Sequence, residues 1–181
     1  MYDQLKREDL NWRKLQYQLV KGVIREENLN QSKIKAYVVD DSVKVRKGKK
    51  LEAVSRHFDH LLGRTVKGQQ VLTLGLATDE QFLVLDNEIY MSQIQRQLLK
   101  NDFNDARSIV GKRFQATVSK TKPELLVTMV KRAMNNGIEA DYLLADAWFG
   151  NKSTIRLAHD VNSVPVLRMK NNKTKYRYYL N

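Results

Sequence analysis

Two stretches of the chain run from apolar residues directly into acid. Residues 36–42 (AYVVDDS) form an apolar, β-branched run that ends in two adjacent carboxylates. Residues 142–146 (YLLAD) form a second run, which ends in one carboxylate. Short apolar runs bounded by polar residues are typical of buried strands. We therefore expect a strand in each stretch, with acid at its carboxyl end.

Further strands are expected where apolar and β-branched residues cluster. The segment 62–65 (LGRT) contains a glycine and predicts a hairpin turn between two of these strands. The tail, 170–181, alternates bases with tyrosines and is consistent with the start of another strand. The expected strands are residues 35–40, 54–60, 66–77, 82–86, 141–146 and 164–169.

Helical spacing of apolar residues predicts a helix over residues 1–30, which the turn-prone segment 28–32 (NLNQS) ends. A second helix should begin at Thr121, which forms the pattern of a capping box with Glu124, and Pro123 suits its first turn. The inward face of this second helix is expected to hold Leu125, Leu126, Met129, Val130 and Ala133.

The second helix should end at 136–137 (NG), because glycine suits the left-handed residue after a helix. A third helix is expected to start at Asn151 or Ser153, either of which can be its N-cap, and to reach Val161. Its inward residues are expected to be Ile155, Ala158 and Val161. Residues 92–120 are polar and mostly helical in pattern, but weakly so.

The order of these elements predicts the fold class. Helices return between the later strands, so those strands should be parallel, whereas the earlier strands follow one another closely and should be antiparallel. The expected fold is a mixed α/β sheet flanked by helices. At 181 residues, one domain with a sizeable core is the default.

The net charge says more about the binding partner of this chain than the rest of its composition does. Lys and Arg outnumber Asp and Glu by 32 to 20, a formal net charge of +12. That surplus favours a polyanionic partner, nucleic acid first and an anionic membrane surface second, over an ordinary basic cytoplasmic protein. The chain has no cysteine, which excludes disulfides and thiolate metal sites and suits an intracellular protein. It has neither a run long enough to cross a bilayer nor a signal-peptide pattern.

The two acidic strand ends are candidate metal ligands. Ligands of open α/β sheets gather at the carboxyl ends of the strands, and Mg²⁺ prefers oxygen ligands, with two or three carboxylates sufficing. Two-metal phosphodiester chemistry needs carboxylates that converge in this way. Aspartate is also common at strand ends for structural reasons. Asp40 or Asp146 alone is therefore ordinary, and the pair in a basic chain favours a metal site only mildly.

A basic segment directly follows the first acidic strand, and we expect it to be a loop. It contains five cations and no acid. Contact with a DNA backbone and a merely solvated loop both fit this pattern, because phosphate contacts need only positive charge and reach. The candidate DNA-binding residues are Lys44, Arg46, Lys47, Lys49 and Lys50.

Other chemistry-bearing residues fit structural roles better. His57 and Asp59 share a face of a predicted strand but His60 points to the other face, so hydrogen bonding or a phosphate contact is favoured there over a metal site. Trp148 and Phe149 follow the second acidic strand, and we expect them to be packing anchors for the next helix rather than base-stacking residues.

Three short motifs in order resemble the DDE transposases of bacterial insertion sequences, enzymes with a ribonuclease-H-like catalytic core. They are 39–42 (VDDS), 49–60 (KKLEAVSRHFDH) and 146–149 (DAWF). The resemblance extends from about residue 11 to the C-terminus. It implies a ribonuclease-H-like mixed sheet.

The resemblance also implies roles for particular residues. Asp40 would be the first catalytic aspartate and metal ligand, with Asp41 a variable neighbour kept in reserve, and Asp146 would be the second. The implied cofactor is Mg²⁺, with Mn²⁺ as a substitute. The implied partner is the double-stranded DNA of transposon ends, with a homodimer in the synaptic complex and no membrane. The implied location is the bacterial cytoplasm, at the nucleoid.

The sequence departs from this family at the third ligand. Family members carry a downstream glutamate in a signature with Tyr, Arg and Lys, but here the only acid after Asp146 is Asp160, and residues 176–177 (YR) open no matching signature. We therefore expect a fragment that lacks the third carboxylate and is also short at its N-terminus. It would comprise a helical segment, 1–33, and a partial ribonuclease-H-like catalytic domain, 34–181.

The first hypothesis is thus a DDE transposase, which cleaves phosphodiesters at transposon ends and transfers strands. The alternative is a basic DNA-binding remnant without turnover, which the missing glutamate favours. A third interpretation, another ribonuclease-H-like nuclease, would need Glu52 or Glu139 to complete the site and is the least favoured.

Overall fold

The structure is a computed structural model that describes residues 3, 7, 9–48, 51–59, 62–98 and 107–171. The described strands are β1 (Lys35–Val45), β2 (Ser55–Asp59), β3 (Arg64–Thr78), β4 (Phe82–Tyr90), β5 (Tyr142–Ala145) and β6 (Val164–Leu167). The described helices are α1 (Trp12–Glu26), α2 (Gln93–Gln97), α3 (Ile109–Val118), α4 (Lys122–Asn135) and α5 (Lys152–Asp160), with a 3₁₀ turn at Leu29–Gln31.

The strands form one mixed sheet with the order β4-β3-β1-β5-β6. β3 is antiparallel to β1 and β4, whereas β5 is parallel to β1 and β6. β2 also pairs with β3, and because Gly68 is aligned with both Val45 and Ser55, β1 and β2 lie at opposite edges of β3. The predicted ribonuclease-H-like mixed sheet, antiparallel first and parallel later, is confirmed.

One face of the sheet carries the core. Tyr37 of β1 is aligned with Leu76 of β3 and Leu143 of β5, and all three are at most 2% exposed. Helices α1, α4 and α5 contribute buried apolar residues to the same cluster. Burying each large apolar side chain contributes about 1.5–3 kcal/mol. The opposite face is more open, and Val164 and Val166 of β6 are half exposed there.

The core face also buries charge. Asp86 and Glu88 of β4 are each 2% exposed and face three arginines from three helices. Arg13 Nε lies 3.0 Å from Asp86, Arg113 Nε 3.3 Å from Glu88, and Arg132 Nη1 3.1 Å from Glu88. Arg132 also pairs with Asp86. These contacts attach α1, α3 and α4 to the outer strand of the sheet.

Helix α4 forms as the sequence predicts. Thr121 and Glu124 make both bonds of the capping box, Pro123 lies in the first turn, and Gly137 takes a positive φ of 75° after the last turn. All five residues predicted to face inward are fully buried. The predicted hairpin is confirmed as well, since Asp59 pairs with Arg64 and Gly63 has a φ of 59°.

Several boundaries differ from the prediction. β1 continues to Val45, so Lys44 lies in a strand and not in the expected loop. The reason is β3, whose 15 residues offer partners as far as Gly68. β4 likewise continues beyond residue 86, to Tyr90, along the same partner. The predicted helix over residues 1–30 is not continuous: residue 3 is helical, residues 7 and 9–11 are not, and the described helix runs from Trp12 to Glu26.

The inward face of α5 was only partly predicted. Asn151 is its N-cap, and Ala158 and Val161 are buried as expected, but Ile155 is partly exposed. Thr154 and Leu157 are buried as well. The side of α5 that is buried is the side that packs against α4 and β6, and it includes Thr154 although this residue is polar. The expected strand in the tail lies outside the described residues.

Candidate active site

The parallel pairing of β1 with β5 brings the two predicted catalytic aspartates to neighbouring positions. The aligned pairs run from Ala36–Tyr142 to Val39–Ala145. Asp40 and Asp146 are the residues that directly follow this last aligned pair. Paired strands are about 4.8 Å apart, so Asp40, which lies within β1, and Asp146, which directly follows β5, are neighbours at the same level, and both are exposed. The first strand was expected to end at its acid, but β1 continues past Asp40 because β3 supplies further partners.

Each aspartate is held by a local backbone bond. The Asp41 amide donates to Asp40 Oδ1 at 2.8 Å, and the Trp148 amide donates to Asp146 Oδ1 at 3.0 Å. The amide of Phe149 also donates to the carbonyl oxygen of Asp146, at 3.1 Å. Within the described residues, neither carboxylate has a cationic partner, so one oxygen of each is available to a ligand.

Asp41 points to the other face of the sheet from Asp40, because side chains alternate along a strand. There the buried Lys122, the first residue of α4, places its Nζ 3.0 Å from Asp41 Oδ2. Gln70 donates to the same oxygen. The Lys122 ammonium also lies over the rings of Tyr90, at 5.1 Å, and Trp148, at 4.7 Å. Asp41 is therefore committed to an internal ion pair.

Replacing Lys122 by alanine is expected to lower the free energy of unfolding by about 1.5–3 kcal/mol, because the largely buried Asp41 carboxylate loses a charge-assisted bond. Urea unfolding measures this. Lys131→Ala, at an exposed position of the same helix, is the matched control and should change it by less than about 0.5 kcal/mol. Equal losses in both variants would show that the ion pair contributes nothing.

The two aromatic residues after Asp146 differ in environment. Phe149 is fully buried in the core, which confirms it as a packing anchor. Trp148 is 51% exposed, so the expectation that it is a packing anchor is wrong. Its ring is flanked by Lys122 and by Lys170, whose Nζ lies 4.1 Å from the ring centroid. Trp148 lies in the turn after β5, where half of its side chain stays exposed beside these two lysines.

The basic residues after Asp40 are exposed where the structure describes them. Lys44, Arg46 and Lys47 are all exposed, and Arg46 Nε donates to the Gln69 side chain at 3.1 Å. Lys49 and Lys50 lie outside the described residues. The DNA-binding role of all five stays a prediction.

His57 is a buried histidine rather than an open ligand. It is 8% exposed, its Nε2 lies 2.8 Å from Ser55 Oγ, and it is aligned with Val66 on the core face. Burial lowers the pKa of His57, and the nearby Lys122 lowers it further, although the Gly68 backbone and Asp41 partly oppose this shift. His60 lies outside the described residues.

Protonation of His57 should make the protein acid-sensitive. The unfolded chain takes up this proton near the ordinary pKa of about 6.5, whereas the folded chain resists it, so stability is full above that pH and falls as the pH drops below it. The loss is at most about 1.4 kcal/mol per pH unit. Urea unfolding between pH 7.5 and about 5.5 should show a steeper fall for the unmodified chain than for His57→Gln. Identical slopes would contradict this.

The alternative third ligands lie away from the two aspartates. Glu52 is placed beside Gln69, the partner of Lys44, four residues beyond Asp40 along β1. Glu139 precedes β5 and so lies towards its opposite end, and Asp160 is the last residue of α5. Among the residues that the structure describes, no group of three or more His, Asp or Glu side chains is arranged to hold a metal ion.

The fold defines the class of the protein, a mixed α/β protein of the ribonuclease-H-like type. Comparison with protein-family models then defines the family. The model for the DDE superfamily endonucleases matches residues 1–180, and the chain belongs to this family. The predicted relationship to DDE transposase-like nucleases is thereby confirmed. Searches of curated proteins and of solved structures gave no significant match.

Family membership supports a nuclease or transposase type of function, a DNA substrate and the use of divalent metal ions. Among the described helices, none is both long and apolar enough to cross a membrane. The sequence did not predict two sets of buried ion pairs, one on Asp41 and one on Asp86 and Glu88 of β4. For the acids of β4, the signal available in the sequence was a pair of acids, Asp86 and Glu88, two residues apart in a strand that is apolar apart from them and Asn87.

Proposed function

We propose that this chain is the core of a DDE-type DNA transposase from a bacterial insertion sequence, with Asp40 and Asp146 as its metal-binding carboxylates. It would cleave phosphodiesters at transposon ends and transfer the freed strands. The observation that carries the proposal is the alignment of Val39 with Ala145, which makes the two aspartates neighbours on adjacent parallel segments in a chain of the DDE endonuclease family.

The two carboxylates fit a hard divalent cation. Both are exposed, each has an oxygen without a hydrogen bond among the described residues, and oxygen is the ligand that Mg²⁺ and Mn²⁺ prefer. When bound, such ions activate the attacking oxygen and stabilise the leaving oxygen of a phosphodiester. Asp40 and Asp146 would hold the ions.

The remaining residues of the site would hold the two aspartates in place and neutralise the charge of the DNA. The ion pair of Lys122 with Asp41 attaches β1 to α4, and the contact of Lys122 with Trp148 extends this attachment to the turn that carries Asp146. These contacts lie on the core face of the sheet, whereas Asp40 lies on the open face and has no ion pair among the described residues. Lys44, Arg46, Lys47, Lys49 and Lys50 would neutralise phosphates of the DNA and set its register. Two copies of the chain would meet when two transposon ends are held together.

The second candidate function is a DNA-binding protein without turnover. It is favoured because two carboxylates, and not three, stand together among the described residues. Both candidates share the DNA partner and the two metal ligands, and they differ only in cleavage.

Plasmid nicking separates them. Supercoiled DNA is incubated with the unmodified chain and Mg²⁺ or Mn²⁺, beside Asp40→Ala, Asp146→Ala and, as the matched control, Asp160→Ala. Nicking that both site variants abolish and the control retains supports the enzyme. Salt-sensitive DNA binding without nicking supports the second candidate. Nicking that survives Asp40→Ala or Asp146→Ala rules out the assigned carboxylates.

A further inference from the structure

Three cations stand side by side on the sheet: Arg46 directly after β1, Lys67 on β3 and Arg56 on β2. The Arg46 amide donates to the Lys67 carbonyl at 2.9 Å, which continues the pairing of β1 with β3. Lys67 is in turn aligned with Arg56 of β2. Since β1 and β2 lie at opposite edges of β3, the three residues form a row across adjacent strands, with Lys67 in the middle.

This row lies on the same face of the sheet as Asp40. Asp40, Lys44 and Arg46 are separated by even numbers of residues, so their side chains share a face. The aligned pair of Lys67 and Arg56 belongs to that face too. The neighbouring His57 is buried on the other face, which confirms the alternation. We call the four cations Lys44, Arg46, Arg56 and Lys67 the basic strand face.

The basic strand face is accessible and uncompensated. All four side chains are exposed. Within the described part of the chain, none of them is in an ion pair; Arg46 donates to Gln69, and Lys67 donates to the Gly48 carbonyl at 3.3 Å. Exposed cations without an acidic partner attract a polyanion and need little desolvation to contact it.

The spacing from Asp40 suits double-stranded DNA. Arg46, which directly follows β1, is six residues beyond Asp40, which corresponds to about 20 Å at roughly 3.3 Å per residue of extended chain. One DNA strand advances about 3.4 Å per nucleotide. A duplex lying along β1 with a phosphate of one strand at Asp40 would therefore extend to the row of Arg46, Lys67 and Arg56 about six base pairs further along its axis. Because about six base pairs are more than half a helical turn, the phosphates that face the row there belong to the complementary strand.

We propose that the basic strand face binds the phosphate backbone of duplex DNA about six base pairs from the phosphate at Asp40. Arg56 and Lys67, on β2 and β3, thereby join the segment after Asp40 as DNA contacts. The distance along the DNA rests on the proposed function of Asp40, whereas the phosphate contact itself does not.

The test compares two double variants of equal charge. Arg56→Gln with Lys67→Gln neutralises two cations of the basic strand face, and Lys21→Gln with Lys131→Gln neutralises two exposed lysines on α1 and α4. The dissociation constant for a random-sequence duplex is measured from about 50 to 200 mM salt. Two lost phosphate contacts should reduce the slope of log K against log salt by about 1.8 in the first variant only.

The outcomes are distinct. An unchanged slope in the first variant, or an equal reduction in both, overturns the inference. Retained DNA affinity with lost binding to phosphatidylserine vesicles would assign the face to a membrane and overturn it too. Urea unfolding checks that both variants are folded.

Mn²⁺ titration separates this inference from the proposed function. The first variant should bind Mn²⁺ as the unmodified chain does, because neither substitution touches Asp40 or Asp146. If the unmodified chain binds no Mn²⁺ while the first variant still loses DNA affinity, the assigned metal ligands fail and the phosphate contact stands.

Discussion

Replacing Asp86 by alanine is expected to lower the free energy of unfolding by about 3–5 kcal/mol, the usual cost of removing one partner from a buried ion-pair network. The Asp86 side chain is 1% exposed, and its loss leaves Arg13 and Arg132 with Glu88 as their shared acid. Since these two arginines retain 20% and 23% exposure, water screens part of the effect and the lower end of that range is expected. Urea unfolding at pH 7 measures it.

Asp160→Ala is the matched control, because Asp160 is an exposed acid at the end of a helix. It should change stability by less than about 0.5 kcal/mol. Adding Arg132→Met to Asp86→Ala should cost less than the sum of the two single changes, since both remove the same contact. Additive losses would show that the two side chains do not interact.

Replacing Asp40 or Asp146 by asparagine is expected to weaken Mn²⁺ binding by more than about tenfold, because even residues that only support metal ligands typically contribute 10–100-fold. Asparagine keeps the size of the side chain and removes its charge. Neither carboxylate is in an ion pair among the described residues, so neither change should lower stability appreciably. Isothermal titration calorimetry measures the binding, and urea unfolding measures the stability.

Asp41→Asn distinguishes the two adjacent acids. Asp41 is occupied by Lys122 and Gln70, so this variant should keep Mn²⁺ binding and lose stability, the reverse of Asp40→Asn. If Asp41→Asn abolishes Mn²⁺ binding while Asp40→Asn preserves it, the first ligand is Asp41 and the assignment is reversed.

Local signals in the sequence predicted the elements whose determinants are local. Helix α4 was predicted at both ends, because its capping box, its proline and its final glycine act within one turn of the chain. The hairpin around Gly63 was predicted for the same reason. The division at residue 33 into a helical segment and a catalytic domain stays a prediction, although Tyr17 and Val20 of α1 pack in the same core as the sheet.

Errors arose where a distant partner decides the structure. Lys44 was expected in a loop because of its charged neighbours, but β3 extends far enough to pair with it. Thr154 is polar and was not expected to be buried, yet it lies on the inward face of α5 and is 1% exposed. Trp148 was expected to pack, but its position beside Lys122 and Lys170 leaves half of it exposed.

The sequence by itself determined the mixed α/β class and the two apolar runs that lead into Asp40 and Asp146, because hydrophobic runs and the acids that follow them are properties of neighbouring residues. Only the tertiary structure decided which acids have which partners. Strand register places Asp40 level with Asp146. Helix packing pairs Asp41 with Lys122 and surrounds the buried Asp86 with arginines. Strand register and helix packing join residues that are 46 to 106 positions apart, and no local pattern encodes such pairings.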